Sequence, residues 1–534
     1  MPRILIQTIL GGHAITTNFA QATQMRTSMG IDPAQPIDDA DTAFSTIASG
    51  LLRPAAAQKF SGTTITSAPL WIVPNPKSGN VFVYDAASSA YTIDATMTTV
   101  TALSDAGSLS GLGNGMEYYD NYQYFTTPTD IVRYGPLNGA PVFVPNYWTG
   151  TLAKTALQNT TYPTTFKNNL RLPNHVMKRG QNGYLYVADV VGNNGTLHYV
   201  RTTKTSVEGD TDNGSTYSAL TLGFGLWPTD IEQVNGTDIA IALYEGSTAN
   251  LKQSRAKVAF WNTTSTNANK IIFWEFPDSL ITALVNANGV TYAFSGNVNA
   301  QGFRVSRHTG SYSFEEVYYS ETGEPPLPGA AEGVLNRVLY GTYTTVPESD
   351  GCVYSYGLQK GALSKGVFNV MRATGGTAST SVTALAVIDN NEMGFTSPIV
   401  GWSQAGEGST GVSHGLDKQG TQYNNAPSVW WSEMFRIGQK FKITKIRVPL
   451  AQAVAANMIL DVKLYVDDGQ TNYSGVSQGL ATINNTAYSG AKNVVFRPIS
   501  ATGEHNFWLE LRWTGSALLT VGLPISIEYD LIDD

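Results

Sequence analysis

From about residue 71 the chain repeats one phrase: a short run of β-branched and aromatic residues, a turn built on Gly or Asn, and another such run. Val81-Phe82-Val83-Tyr84-Asp85 leads through Ala86–Ala90 to Tyr91-Thr92-Ile93. Tyr184-Leu185-Tyr186-Val187-Ala188 follows Asn182-Gly183 and leads to Leu197-His198-Tyr199-Val200. Asn235-Gly236 precedes Ile239–Leu243, and Asn288-Gly289 precedes Val290–Phe294. Asn-Gly supplies the left-handed conformations that a two-residue hairpin needs, so these pairs mark antiparallel strands. Arg337–Tyr340 and Cys352–Tyr356 continue the series. Helical periodicity is confined to Ala14–Met29 and Ala451–Met458, which are expected as short helices.

The phrase has a period. Ile281-Thr282-Ala283-Leu284 resembles Val382-Thr383-Ala384-Leu385, and Thr127-Pro128-Thr129-Asp130-Ile131 resembles Trp227-Pro228-Thr229-Asp230-Ile231. Each pair is about 100 residues apart, or two repeats of ~50, a length that carries four strands in a propeller blade. Units starting near 71, 118, 177, 230, 281, 332 and 383 fit that spacing. One small twisted sheet cannot bury both faces, so radial packing on its neighbours must complete the core. The expected fold is all-β: a six- or seven-bladed β-propeller over 66–425, followed by a C-terminal antiparallel β-sandwich over 426–534. In the latter, Phe441–Val448, Leu460–Val466, Phe507–Trp513 and Ile525–Tyr529 alternate apolar and polar residues, as half-buried strands do. Residues 1–65 form an N-terminal segment whose first strand is expected to close the propeller or to contact another subunit.

Composition narrows the function. Of 534 residues 42% are hydrophobic and only 14% charged, so Thr, Ser, Asn, Gln and the 52 glycines must build the polar surface. Charged faces for long helices or coiled coils are missing. A net charge of −8 leaves no clustered Lys and Arg to release counterions from phosphates, which disfavours duplex binding. The single Cys352 excludes an internal disulfide and a Cys-based zinc site. No run of 18 apolar residues is present to span a bilayer, and Met1–Gln7 reads as a strand, not a leader.

Side chains able to carry chemistry are few. A glycosidase needs two carboxylates about 5–9 Å apart, and Asp120, Asp130, Asp230, Glu232 and Asp238 are the candidates at strand ends. The repeated Thr-Asp pairs at 130 and 230 are better explained as binders of turn amides. His13, His175, His198, His308, His414 and His505 show no i, i+4 pairing, so no metal site is expected. Gly11-Gly12-His13 lacks the Lys-Thr of a phosphate loop. Glu208–Ser215 looks calcium-like but puts Gly214 where an oxygen ligand belongs and has no closing Glu. Tyr118, Tyr119, Tyr122 and Tyr124 are candidates for stacking on a glycan, against the alternative that period-2 aromatics pack between sheets. Trp430-Trp431 is expected to be buried at a domain junction. No catalytic residue, cofactor or metal ligand is assigned.

Four segments carry a resemblance to a known group: Ile4-Leu5-Ile6-Gln7, Gly115–Tyr122, Asp130–Leu137 and Asn506–Trp513. Together with the texture of the chain they resemble a widespread type of tailed-bacteriophage structural protein. The resemblance implies a virion component of the tail, a nozzle or tail-tube-end subunit in a homo-oligomeric ring around the DNA exit channel. Its implied partners are adaptor, portal and fibre proteins, with DNA passing through without specific binding. It implies no enzyme and no cofactor. Two alternatives stand beside it: a host-receptor tail protein that binds glycans, and a propeller glycoside hydrolase acting on surface polysaccharide.

Overall fold

In a computed structural model, the protein is described over residues 57–534 apart from several loops, of which 159–174 and 201–218 are the longest, and over five short strands before residue 57. It divides into two compact units, one of residues 59–347 and 378–418, the other of 1–58, 348–377 and 419–534.

The first unit is the propeller. Its first sheet runs Pro69–Pro74, Val81–Asp85, Ala90–Ile93, Thr99–Ala102, and its second Gly115–Tyr119, Tyr122–Thr126, Ile131–Gly135, Val142–Val144. The third runs Met177–Arg179, Leu185–Val191, Asn194–Val200, Leu220–Phe224, and the fourth Leu226–Val234, Asp238–Glu245, Arg255–Trp261, Ile272–Glu275. Leu280–Ala287, Val290–Gly296, Phe303–His308 and Phe314–Ser320 make the fifth. The hairpin Ala331–Val334 with Arg337–Gly341 opens the sixth, and Thr380–Asn390, Phe395–Gln404 and His414–Gln419 form the seventh. Asn288-Gly289 makes the expected two-residue hairpin loop, with φ of 51° and 82°, and Asn235-Gly236, at 49° and 81°, opens a loop one residue longer between Val234 and Asp238.

The first strand of each sheet lies beside the first strand of the next, and Thr380–Asn390 returns to Pro69–Pro74. That closes a ring of seven blades. Every expected unit start, from 71 to 383, falls inside one of these innermost strands. Apolar faces of neighbouring sheets meet between the blades. Ile72, Val83 and Tyr91 pack on Ala384, Ile399 and Leu416, and Val234, Ala240 and Val258 pack on Ile281, Leu284 and Ala293. Each such side chain contributes about 1.5–3 kcal/mol by leaving water.

Ring closure is not made by the chain's first strand. The seventh sheet takes Ala57–Lys59 as its outer strand, and the Phe60 N–H donates to the Leu416 carbonyl at 3.1 Å just beyond it. Arg3–Ile6 instead pairs with Ile525–Leu531 in the other unit.

That second unit contains a sandwich of two antiparallel sheets. One runs Arg3–Ile6, Ile525–Leu531, Phe441–Pro449, Asn493–Phe496; the other runs Val476–Asn484, Ile459–Val466, Asn506–Trp513, Ser428–Trp431, Thr27–Met29. Alternation places Ile443, Ile446, Val448, Leu460, Val462, Leu464, Leu509 and Leu511 in one core. Residues 1–65, read from sequence as a region apart, thus supply two strands of this sandwich, while Leu51–Leu52 pairs with Val521–Gly522. These strands are two to four residues long, too short for a period to register. Neither expected helix forms among the described residues. Gln24–Met25 and Thr27–Met29 are strands. Over 451–458 the backbone is spent on partners elsewhere, the Ala451 N–H on Thr520 and the Val454 N–H on Ala491.

Candidate functional site

Side chains converge where the innermost strands meet. A cavity of about 170 Å³ on the ring axis is lined by Trp71, Glu117, Lys178, Glu232, Asn286 and Glu332 among others, these six each from a different blade. Alternation in these strands turns every second residue to the axis. Glu117 comes from the second blade, Lys178 from the third, Asp230 and Glu232 from the fourth and Glu332 from the sixth.

Four carboxyl groups therefore share one ammonium. Lys178 Nζ lies 2.9 Å from Glu232 Oε2, and the Glu232 side chain is 7% exposed against 38% for Lys178. Glu232 Oε1 also accepts the Gln233 N–H at 2.8 Å, and Glu117 Oε1 accepts the Tyr118 N–H at 3.2 Å. Desolvation by the surrounding ring raises the half-buried Glu117 carboxyl to about 7, and Glu332, whose side chain reaches solvent, is pushed in the same direction. Burial works against the charge on Lys178, but Glu232 and Glu117 outweigh it and hold the ammonium above its usual value.

A second set of polar groups ties blade to blade. Burial raises Asp230 to about 7, although its two oxygens accept the Ile231 and Leu284 N–H groups at 2.8 and 2.7 Å. The second of these reaches the next blade. Three innermost strands carry a bulge at a buried threonine, Thr229, Thr282 and Thr383. Thr229 Oγ1 donates across the seam to the Ile281 carbonyl at 2.8 Å, and Thr126 Oγ1 does the same to the His175 carbonyl at 2.8 Å. His175 and His198 flank buried Asp189, with Nε2 atoms 3.3 and 3.1 Å from its two oxygens. His175 Nδ1 is 3.1 Å from the Thr127 carbonyl of the preceding blade. Asp189 further accepts the Val190 N–H at 2.7 Å and the Gln158 N–H at 2.9 Å.

The sequence candidates separate on this frame. Asp230 and Glu232 line the axis. Asp120 sits in a two-residue hairpin loop with Asn121, at φ of 43° and 69°. Asp130 accepts the Ile131 N–H at 2.6 Å and contacts Thr149 Oγ1, an amide-binding part as expected. Asp238 accepts from the Tyr312 hydroxyl at 3.2 Å. Asp130 and Asp230 are not equivalent, however. The first precedes the third strand of its blade and the second lies in the innermost strand. A Thr-Asp pair captures its own amides at any strand start, so the matching phrases mark local chemistry, not repeat register.

The tyrosine candidates are packed away. Tyr118, Tyr119 and Tyr124 are buried, and half-buried Tyr122 has the Arg133 guanidinium 4.2 Å from its ring centre, with Tyr147 at the same distance on that cation. No open platform for a sugar remains. Trp430 is buried in the sandwich core, and Cys352 is a buried free thiol. The calcium-like stretch 208–215 lies outside the described residues. Among the described residues no group of three His, Cys, Asp or Glu side chains is placed to hold a metal ion, and no helix is long and apolar enough to cross a membrane.

Glu117, Lys178 and Glu332 escaped the sequence reading. The available signal was positional: each follows Met116, Met177 or Ala331 beside a predicted unit start, with Glu117 and Glu332 the single charge of their innermost strands and Lys178 followed by Arg179.

No protein-family model matches the chain, and no curated protein matches it. Among solved structures it is similar to the computationally designed Ika8 protein, at 12% identity and a TM-score of 0.39 over 68% of this chain and 99% of that one. The Neurospora crassa Pan2 WD40 domain matches at 11% identity and a TM-score of 0.41, over 69% and 97%. The RRP9 WD40 repeats match at 9% identity and 0.42, over 69% and 98%.

Proposed function

We propose that this chain is a structural subunit of a tailed-phage particle, serving as rigid architecture in a homo-oligomeric ring at the tail end. The observation that carries this reading is how the buried polar groups are used. Asp189, Asp230, Thr126 and Thr229 are spent on joining one blade to the next or on backbone amides, as a load-carrying ring requires. The segments that resemble phage structural proteins support the particle, and the net charge of −8 suits a wall along which DNA slides. The DNA path in this reading runs between subunits, because a cavity of about 170 Å³ on the propeller axis is far too small for a duplex. Glycan docking on the tyrosines loses support, since Tyr118, Tyr119 and Tyr124 are buried and half-buried Tyr122 is covered by the Arg133 guanidinium.

One observation favours a second reading, the hydrolase. The axis holds two carboxyls raised to about 7, able to act as acids, in the same cavity as Glu232, which pairs with Lys178. Imaging of the purified particle with the subunit tagged decides the first reading: density repeated around the tail axis is expected, and absence from the particle refutes it. Incubation of the protein with host polysaccharide decides the second. Reducing ends that appear with the wild type and vanish in Glu232→Gln would establish the enzyme and sink the purely architectural reading.

A further inference from the structure

We propose that Asn235 is a modification site, at which the side-chain amide cyclises onto the Gly236 nitrogen and reopens as aspartate or isoaspartate, in a fold that protects its other described Asn-Gly pairs. The chain holds seven such pairs, six of them among the described residues, and the fold treats them unequally. Cyclisation needs a Gly N–H free to lose its proton and a carboxamide free to swing onto it. Gly139, Gly183 and Gly289 donate that N–H to the Pro136 carbonyl, the Gly180 carbonyl and Asn286 Oδ1, at 3.2, 3.1 and 2.9 Å. The carboxamide of Asn138 accepts from Asn121 Nδ2 at 2.6 Å, and that of Asn182 is held between the Tyr184 N–H and the Tyr186 hydroxyl at 3.3 and 2.5 Å. Asn114 is buried, and Gly195 lies inside a strand ladder. Asn235 and Gly236 are both exposed, and among the described residues neither the Asn235 side chain nor the Gly236 N–H has a partner. No atom lies within 4 Å of where a Cβ on Gly236 would stand. Asn235 sits in the left-handed region, at φ 49°, so it gives up no favoured backbone state when it swings.

The bond changes balance with water alone, and asparagine is among the thermolabile side chains. Hydroxide from solvent takes the Gly236 N–H proton, and the nitrogen attacks Asn235 Cγ. The new C–N bond closes a five-membered imide, and the Cγ–Nδ2 bond breaks to release ammonia, which takes a proton from water. Water then opens the ring. Opening at the side-chain carbonyl leaves aspartate, and opening at the backbone carbonyl leaves isoaspartate, which lengthens the main chain of the loop by one carbon. The position gives this change a consequence. The Gly236 carbonyl accepts from Gln233 Nε2, and the Gln233 carbonyl accepts from Asn286 Nδ2 and Thr291 Oγ1 of the fifth blade, both at 3.1 Å. Asp238, at the other end of the loop, accepts from the Tyr312 hydroxyl of the same blade at 3.2 Å. A longer and newly charged loop disturbs both ends, so the modification loosens the fourth blade against the fifth.

The test incubates the full folded chain at pH 8, then digests it and maps it by mass spectrometry, with fragment ions assigning each position. The one-unit mass gain of an amide turned acid is expected at Asn235, several-fold faster than at Asn114, Asn138, Asn182, Asn194 or Asn288, with isoaspartate in the product. In the chain unfolded by urea all six should gain at similar rates, because the protection comes from the fold. Thermal unfolding of the incubated protein is the second readout. The propeller transition is expected to move to lower temperature as the gain accumulates in the wild type, and to stay in place in Asn235→Gln, whose longer side chain would have to close a six-membered ring. No gain at Asn235 in the folded chain, or an equally fast gain at any of the other five, overturns the site. A fully modified chain that melts as the fresh one does overturns the loosening of the seam.

Discussion

Asp189→Asn tests the seam between the second and third blades. The carboxylate is buried, and its partners include the amides of Val190 and Gln158 and the imidazoles of His198 and His175. Breaking a buried ionic cluster by neutralising one member costs ~3–5 kcal/mol. Asparagine retains one accepting oxygen, so about 3 kcal/mol is the expected loss. Spread over a unit of about 330 residues, with an unfolding entropy of ~2.1 cal/mol/K per residue, that corresponds to a fall of about 4 °C in melting temperature. The dependence on pH is the sharper part. Burial opposes ionisation of Asp189, but hydrogen bonds from His175 and His198 outweigh it and hold the carboxyl well below the usual carboxylate range. A group depressed on folding contributes its stability above the unfolded value of about 3.9 and loses it as pH falls further. The gap between wild type and variant should hold from pH 8 to 5 and shrink below about pH 4. Thermal melts by circular dichroism at pH 7 and pH 3.5 measure both. Equal melting temperatures at pH 7, or a gap that does not narrow in acid, would refute the reasoning.

Trp430→Ala removes a fully buried indole from the sandwich core and should cost about 3–5 kcal/mol, seen as loss of near-ultraviolet dichroism and an earlier unfolding transition. Thr229→Val keeps the shape of the bulge but strands the Ile281 carbonyl, so a loss of about 1 kcal/mol in denaturant unfolding is expected, against no change if that bond is idle. Deletion of residues 1–60 takes away the ring-closing strand and the strands paired with Ile525–Leu531 and Ser428–Trp431. That protein should show no cooperative melt, and a normal melt would contradict the assigned pairings.

The propeller was legible because its strands announce themselves locally. Asn-Gly pairs such as Asn235-Gly236 and Asn288-Gly289 mark hairpins, and the spacing of the runs is regular enough that 71, 118 and 177 already pointed into innermost strands. The axial cluster was harder. Glu117, Lys178 and Glu332 are separated by 61 and 154 residues, and only a closed ring makes them neighbours. The N-terminal strands were hidden by their brevity: Thr27–Met29 gains its sheet from Ser428–Trp431, not from any pattern of its own. The tyrosines of 118–124 illustrate the opposite risk. A dense aromatic run suggests a binding face, yet its period of two is what packing between sheets demands, and Tyr124 with Tyr147 and Trp148 fills that interior.

The outer strand of the seventh blade is among the earliest parts of the propeller to leave the ribosome, and its partner is made some 355 residues later. Until then the nascent chain carries an unsatisfied sheet edge at Ala57–Lys59 and an open gap beside Pro69–Pro74. Long-range pairing of this kind is intrinsically slow, so assembly of this molecule is expected to be post-translational. Among the blades, the seventh is the first that a pull on the amino-terminal end would reach, once the strands Arg3–Ile6, Thr27–Met29 and Leu51–Leu52 had been peeled from their partners.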